Sequence, residues 1–120
     1  MKILLVDDSS TMRRIQKNTL GSLGFTDVDE AEDGQDAVAK VGKAPYELVL
    51  MDWNMPNMTG IDALKAIRAN PATAKIPVIM VTSESEKTRI LEAIQAGATN
   101  YIVKPFTPDV LKEKLDAIGK

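Results

Sequence analysis

Short apolar runs alternate with longer amphipathic segments along the whole chain. Four runs are wholly apolar, at 3–6, 48–51, 78–81 and 101–103, whereas the run at 28–31 mixes apolar with charged residues. Apolar runs without alternation are typical of strands that are buried on both faces of a parallel sheet. Five such strands, each followed by a helical pattern, predict a doubly wound α/β domain with helices on both faces of the sheet.

Between the strands, apolar residues recur at helical spacing, and capping or breaking residues mark the helix ends. The apolar positions of the five expected helices are Met12, Ile15, Leu20 and Leu23; Ala37, Val38 and Val41; Ile61, Leu64 and Ile67; Ile90, Leu91 and Ile94; and a buried stripe of Val110, Leu111, Leu115 and Ile118. The expected starts are Ser9-Ser10, Asp33-Gly34, Gly60 after Thr59, a capping box of Ser83 and Glu86, and Thr107-Pro108. The expected ends are Gly24, Gly42, Asn70-Pro71 and Gly97.

Apolar content also suggests the order of the strands. The first, third and fourth runs are the most apolar and should be central, and the charges at 28–31 suit an edge strand. The order 2-1-3-4-5 known from flavodoxin-like folds satisfies this condition. In such sheets, ligands bind at the carboxyl ends of the strands.

Composition narrows the chemistry of that edge. The chain has 120 residues, which predicts a single domain over 1–120, and 44% hydrophobic with 27% charged residues is typical of a soluble globular protein. A net charge of -2 argues against a nucleic-acid surface. The absence of cysteine and histidine leaves carboxylates, lysine, hydroxyls and backbone as the reactive groups. The apolar N-terminal run is too short for a signal peptide or a membrane span, so we expect a cytoplasmic protein.

Reactive side chains stand at the ends of four strands. Asp7 and Asp8 follow the first, Asp52 ends the third, Thr82 the fourth and Lys104 the fifth. Two carboxylates about 4 Å apart repel each other by roughly 4 kcal/mol at an effective dielectric near 20, so three of them predict a bound cation. Oxygen-only ligands favour Mg²⁺, which usually also binds a phosphate oxygen, and a hydroxyl and an ammonium can donate to that phosphate. Asp52 would then be a nucleophile that forms an aspartyl phosphate.

Each of these residues also has a purely structural interpretation. Asp7 or Asp8 could cap a helix, Asp52 could be a turn residue, and Thr82 could simply end a strand. Lys104 alone would be taken as a solvated surface lysine. These interpretations do not explain why all of them stand at strand ends, so we favour the site.

The residues resemble a known family. Asp7-Asp8, Asp52-x-x-Met55-Pro56-x-x-x-Gly60, Thr82-Ser83 and Lys104-Pro105-Phe106 resemble the receiver domain of bacterial two-component response regulators, over the whole chain. The segments 8–14, 52–56 and 100–107 are more narrowly similar to the single-domain chemotaxis regulators. Thr59 is a departure, because the family more often has Asp or Asn there, but threonine can still cap the following helix.

The resemblance implies specific roles at the site. Asp52 would accept a phosphoryl group from a phosphohistidine of a histidine kinase. Asp8, Asp52 and the backbone carbonyl of Asn54 would ligate Mg²⁺, with Asp7 acting through water. The remaining implied roles are phosphoryl binding by Lys104, Thr82 and the backbone N–H groups of Ser83 and Trp53, tuning of dephosphorylation by Asn54 and Glu84, and a cis peptide between Lys104 and Pro105.

The resemblance also implies a switch and its partners. Phosphorylation would draw Thr82 toward the phosphoryl group, and Tyr101 would turn inward into the space that Thr82 leaves. A face that includes Ile90, Ile94, Tyr101 and Lys114 would then bind a target, by resemblance the flagellar motor switch. The expected partners are a histidine kinase, this target and an auxiliary phosphatase, with no nucleic acid or membrane, and we expect a monomer.

Three other functions use similar residues or a similar fold. An aspartyl-phosphate phosphatase or phosphotransferase typically carries a second Asp two residues after the nucleophile, where this chain has Asn54, and a cap domain that we do not find. A phosphorelay intermediate stays open, because its chemistry at Asp52 is identical. A flavodoxin would need a phosphate loop after the first strand, where Asp7 and Asp8 would repel the FMN phosphate. Since the chain ends after the last helical pattern, we expect no output domain, and a signalling protein rather than an enzyme.

Overall fold

The computed structural model describes residues 1–55, 57–83, 87–104 and 106–119, with side chains except those of residues 87 and 88. Three predictions lie outside the described residues: the role of Glu84, the capping box on Glu86, and the cis peptide at Pro105.

Five strands alternate with five helices along the described chain. The elements are β1 Ile3–Val6, α1 Ser10–Ser22, β2 Val28–Ala31, α2 Gly34–Val41, β3 Leu48–Asp52, α3 Gly60–Ala69, β4 Val78–Thr82, α4 Lys87–Gln95, β5 Asn100–Val103 and α5 Pro108–Ala117. None of the helices in the described ranges is long and apolar enough to cross a bilayer.

The strands form one parallel sheet in the order β2-β1-β3-β4-β5, as predicted. Every residue of β1, β3 and β4 is buried, because helices cover both faces of these central strands. The register pairs Val6 with Met51, and Asp52 with Val81. The carboxyl ends of β1, β3 and β4 therefore reach the same edge of the sheet.

The two faces of the sheet carry different helices. Helices α1 and α5 pack on one face, and α2, α3 and α4 pack on the other. Successive residues of each strand point to opposite faces. Thus Ile3 and Leu5 pack with Leu20, Leu111 and Leu115 on the first face, whereas Leu4 and Val6 pack with Ala37, Leu64 and Ala93 on the second.

The helix starts agree with the sequence. The side chains of four N-cap residues, Ser9, Asp33, Thr59 and Thr107, each accept a hydrogen bond from the backbone N–H three residues further on. Thr59 therefore caps α3 in place of the more usual acidic or amide residue. Pro108 is the first residue of α5, as expected.

Three of the predicted apolar stripes, those of α1, α4 and α5, are partly exposed. The exposed positions are Ile15 at 50%, Leu91 at 49%, Ile94 at 55% and Val110 at 38%. The buried positions of α1 are Gln16 and Leu20, four residues apart, and those of α5 are Leu111 and Leu115, also four apart. A residue that directly precedes a buried position is rotated by about 100° around the helix, which turns Ile15 and Val110 away from the sheet.

Candidate functional site

Three carboxylates meet at the carboxyl edge of the sheet. Asp7 and Asp8 directly follow β1, and Asp52 is the last residue of β3. One carboxylate oxygen from each lies within 4.8 Å of those of the other two. Asp7 and Asp52 are buried, and Asp8 is exposed, so the cluster opens to solvent on the Asp8 side.

Lys104 extends into this cluster from the end of β5. Its Nζ donates a hydrogen bond of 2.9 Å to Asp52 Oδ1 and lies 3.7 Å from Asp7 Oδ2. Its backbone N–H donates to the carbonyl oxygen of Thr82, which fixes the end of β5 against the end of β4. The predicted grouping of Asp7, Asp8, Asp52 and Lys104 is therefore present.

The charges of the cluster do not balance. Burial raises the pKa of Asp52 above its ordinary value, and although the hydrogen bond from Lys104 opposes this, the charges of Asp7 and Asp8 add to it. Burial lowers the pKa of Lys104, but the hydrogen bond to Asp52 and the three carboxylate charges outweigh burial and raise it. Lys104 is thus held in its charged form, and one ammonium faces three carboxylates, so the cluster can accept further positive charge.

Asp7 is fixed in place by its neighbours but keeps one unused oxygen. Its Oδ1 accepts the Ser9 N–H at 2.9 Å, and its backbone carbonyl accepts a hydrogen bond of 2.7 Å from Nη1 of Arg13. Its buried Oδ2 has no hydrogen-bond partner among the described groups, and Lys104 Nζ at 3.7 Å is beyond hydrogen-bonding distance. A buried, oriented carboxylate oxygen without a donor is a suitable partner for a hard cation or its water.

Gly60 allows α3 to begin directly against the end of β3. Its N–H donates to the Trp53 carbonyl at 2.9 Å, and a Cβ at this position would lie 2.0 Å from the Asp52 carbonyl oxygen. Another loop residue, Asn57, adopts φ +68° and donates from Nδ2 to Asp33 Oδ2 at 3.2 Å. The start of α3 therefore packs so closely against the Asp52 carbonyl that there is no room for a side chain at position 60.

The other predicted site residues stand at or just after the ends of β3 and β4. Thr82 is buried at the end of β4, and Ser83 and Asn54 are exposed. The backbone N–H of Trp53 donates to Val81 at 3.0 Å, so in this conformation it belongs to the sheet. This N–H would have to leave the sheet hydrogen bond before it could bind a phosphoryl oxygen.

The predicted target face contains exposed apolar residues. Ile94 of α4 is 55% exposed and Ile90 is partly buried. Tyr101 of β5 is half-buried, and the Lys114 Nζ lies 4.5 Å from its ring centroid. All four predicted residues belong to α4, β5 or α5. Strand β5 is an edge strand of the sheet, and α4 and α5 pack on its opposite faces.

Two arginines near the site were not singled out from the sequence. Arg13 joins the Asp7 carbonyl to Glu30, to which its Nε donates at 3.0 Å. The Arg89 guanidinium lies 5.0 Å from the Trp53 ring centroid. Arg13 could have been identified from the sequence, because it lies within the first two turns of the helix that follows Asp7 and Asp8. Nothing in the sequence indicates that Arg89 lies near Trp53.

Comparisons with known proteins agree with this geometry. The family model described as response regulator receiver domain matches residues 3–116. Chemotaxis protein CheY of Pseudomonas aeruginosa is 53% identical over 118 residues, which cover 98% of this chain and 95% of that protein. Chemotaxis protein CheY-3 of Vibrio cholerae serotype O1 is 55% identical over 118 residues, which cover 98% of this chain and 91% of that protein. Among solved structures, a similar one is the receiver domain of a sensor histidine kinase from Pseudomonas aeruginosa PAO1, which is 31% identical with a TM-score of 0.88. The match covers 99% of this chain and 98% of that chain, and that structure has a magnesium ion coordinated in its active-site cleft.

Proposed function

The chain belongs to the response regulator receiver family, and we propose that it is a switch in which Asp52 accepts a phosphoryl group from a histidine kinase. The observation that carries the proposal is the buried Asp52 carboxylate, held at 2.9 Å by Lys104 beside two further carboxylates. This arrangement places a nucleophilic carboxylate oxygen next to the Lys104 ammonium, which can hydrogen-bond to the phosphoryl group after transfer. Phosphoryl transfer mainly requires positioning and charge neutralisation, which these residues supply.

We further propose that the carboxylate cluster binds Mg²⁺. The residues fit the ion, because the donor set consists of oxygens, the cluster has excess negative charge, and Asp7 Oδ2 is buried without a donor. Asp8, Asp52 and the carbonyl of Asn54 would be the direct ligands, and Asp7 would act through water. When bound, Mg²⁺ neutralises the charge that the carboxylates and the phosphoryl group bring together.

In the transfer step, an oxygen of Asp52 attacks the phosphorus atom of the phosphohistidine. The new P–O bond forms as the P–N bond breaks, and the imidazole nitrogen leaves and takes up a proton from solvent. Lys104 moves its hydrogen bond from Asp52 Oδ1 to a phosphoryl oxygen, and the Thr82 hydroxyl and the Ser83 N–H donate to the others. Asn54, which is exposed beside Asp52, would tune the later attack of water together with Glu84.

The new bonds are strong enough to operate a switch. Charge-assisted hydrogen bonds are worth about 1.5–3 kcal/mol each, so the two that form newly, from the Thr82 hydroxyl and the Ser83 N–H, supply about 3–6 kcal/mol. A shift from mostly inactive to mostly active needs about 5.5 kcal/mol. When Thr82 moves toward the phosphoryl group, Tyr101 turns inward and leaves its contact with the Lys114 ammonium, which changes the face formed by α4, β5 and α5.

We propose that this face binds the flagellar motor switch and that the protein acts in chemotaxis. The exposed Ile94 supports a docking role, and the relatives reported above are named chemotaxis proteins. The protein would act as a monomer, with a histidine kinase upstream and an auxiliary phosphatase to end the signal. It would be a signalling protein that catalyses only its own phosphorylation and dephosphorylation.

Phosphorylation by a small donor tests the proposal directly. The protein is mixed with acetyl phosphate with and without Mg²⁺, and Trp53 fluorescence and released phosphate are followed. Trp53 is next to Asp52 and its ring contacts Arg89, so a change at Asp52 should alter its emission. We expect a saturable, Mg²⁺-dependent change that decays slowly after the donor is removed.

Matched variants make the result specific. The response should vanish in Asp52→Asn and persist in Asp109→Asn, which makes the same substitution at an exposed position in α5. Continuous rapid release of phosphate would instead indicate a phosphatase. No response in the wild-type protein would contradict the proposal.

A further inference from the structure

Gln16 occupies a position on α1 where the packing calls for an apolar residue. It lies four residues before the buried Leu20, on the side of the helix that faces the sheet, and its side chain is only 3% exposed. Its amide Nε2 has no hydrogen-bond partner among the described groups. A buried N–H donor without a partner destabilises a protein, so such groups in native structures generally bind another protein group or an ordered water.

Gln16 also lines a small cavity. It measures about 30 Å³ and is lined by Met12, Ile15, Gln16 and Thr19 on one wall and by Lys104 and Phe106 on the other. A single water needs about 10–15 Å³ and two to four polar partners. The Thr19 hydroxyl donates to the Ile15 carbonyl at 3.0 Å, which leaves its oxygen able to accept from a water.

We propose that Gln16 is a positioning residue for Lys104. One ordered water in this cavity accepts the hydrogen bond of Gln16 Nε2, donates one to the Thr19 hydroxyl oxygen and packs against Lys104. This contact restrains the Lys104 side chain. The inference rests on the proposed function, because it concerns the cation that would bind the phosphoryl group.

The surroundings of Lys104 explain why such a restraint matters. Its Nζ lies 2.9 Å from Asp52 Oδ1 and 3.7 Å from Asp7 Oδ2, so two carboxylates attract the same ammonium. Its backbone is fixed by the hydrogen bond to Thr82. Lys104 also lines the cavity, and a flexible aliphatic stem joins its two fixed ends. Packing along that stem therefore affects which carboxylate the ammonium favours.

The same substitution, glutamine to methionine, at two positions tests the inference. Gln16→Met keeps the length of the side chain and removes the donor, and Gln35→Met makes the same change at an exposed position of α2. The rate of phosphorylation by acetyl phosphate reports on Lys104, and the Mg²⁺ dissociation constant, from Trp53 fluorescence, reports on the carboxylates. We expect Gln16→Met to lower the rate about threefold to tenfold, the effect of one lost hydrogen bond, and to leave the Mg²⁺ constant unchanged. Gln35→Met should change neither quantity.

Other results would overturn the inference. An unchanged rate with a higher melting temperature in Gln16→Met would mean that the amide is only an unsatisfied core group. A parallel loss of rate and of Mg²⁺ affinity would mean a general distortion of the site.

Crystal structures of the unphosphorylated proteins separate this inference from the proposed function. The inference requires a water within hydrogen-bonding distance of Gln16 Nε2 in the wild-type protein and a displaced Lys104 Nζ in Gln16→Met. If either is missing, the inference is wrong even when Asp52 is phosphorylated as proposed. If both are seen but the wild-type protein does not react with acetyl phosphate, the proposed function fails while the positioning role stands.

Discussion

Lys104 Nζ donates a 2.9 Å hydrogen bond to Asp52 Oδ1, although 52 residues separate the two along the chain. The strands that carry them, β3 and β5, are not neighbours, because β4 lies between them. Neighbouring strands are about 4.8 Å apart, so the side chain must reach past the end of β4, where Thr82 stands. A long, flexible side chain with a compact charge suits that path, and it brings the ammonium to both Asp52 and Asp7.

The first prediction concerns the stability of the free protein. The raised pKa of Asp52 means that the folded protein disfavours its ionised form, so Asp52→Asn should stabilise the protein at neutral pH. Below the ordinary value of 3.8 the carboxyl is protonated in both folded and unfolded states. The advantage of the variant should therefore be constant at neutral pH, shrink as pH falls through the folded pKa, and vanish below 3.8.

Urea denaturation between acidic and neutral pH, without Mg²⁺, measures this difference. Asp109→Asn serves as the control, because Asp109 is exposed on α5. If Asp52→Asn were less stable than the wild-type protein at neutral pH, the hydrogen bond from Lys104 would outweigh the burial of the carboxylate.

The second prediction compares two glycines. In Gly60→Ala the new Cβ would lie 2.0 Å from the Asp52 carbonyl oxygen, so α3 must shift, and we expect a loss of about 2–4 kcal/mol in the free energy of unfolding. In Gly21→Ala nothing lies within 4 Å of the new Cβ, and a helical alanine should gain about 0.5–1 kcal/mol. Urea denaturation of both variants measures the contrast. Similar effects at the two positions would contradict the steric account.

The central position of β1, β3 and β4 and the four charged groups could be predicted because both follow from short local signals, whereas the full strand order was taken from a known fold. Apolar runs without alternation identified β1, β3 and β4 as central, and parallel strands necessarily bring their carboxyl ends to one edge. Asp7, Asp52 and Lys104 stand at the ends of β1, β3 and β5 and were therefore expected to lie near one another. No information about side-chain packing was needed.

The errors arise where one side chain decides between two similar helix faces. Ile15 is more apolar than Gln16, so hydrophobicity favoured the wrong residue, although the two differ by only one position on α1. The sheet hydrogen bond of the Trp53 N–H and the positive φ of Asn57 depend on how the loop after β3 returns to α3. That path is set by tertiary contacts, which local patterns do not contain.

The third prediction concerns Arg68 of α3. Its guanidinium donates to the backbone carbonyls of Gly97 at 2.8 Å, Ile76 at 2.7 Å and Ala74 at 3.1 Å, and so joins α3 to the loops before β4 and after α4. Arg68→Met removes these donors, and we expect a loss of about 2–4 kcal/mol in the free energy of unfolding.

Lys65→Met is the control for Arg68, since Lys65 is exposed on the same helix, and it should change stability by less than about 0.5 kcal/mol. Amide hydrogen exchange locates the effect. Faster exchange should be confined to the ends of β4 and α4 that Arg68 joins, and uniform acceleration across the sheet would instead indicate a general loss of stability.

The last prediction tests the cation site through stability alone, without phosphorylation. A cation that binds only the folded protein raises the free energy of unfolding by about 2.7 kcal/mol at one hundred times its dissociation constant. Mg²⁺ should therefore raise the melting temperature of the wild-type protein. Asp8→Asn should reduce this rise, because Asp8 is the solvent-facing member of the carboxylate cluster. Because Asp8 is exposed, the same variant should unfold without Mg²⁺ at nearly the wild-type temperature, so a loss of binding is distinguished from a loss of folding. Asp109→Asn should respond to Mg²⁺ as the wild-type protein does, and an equal response in Asp8→Asn would show that the ion does not use this cluster.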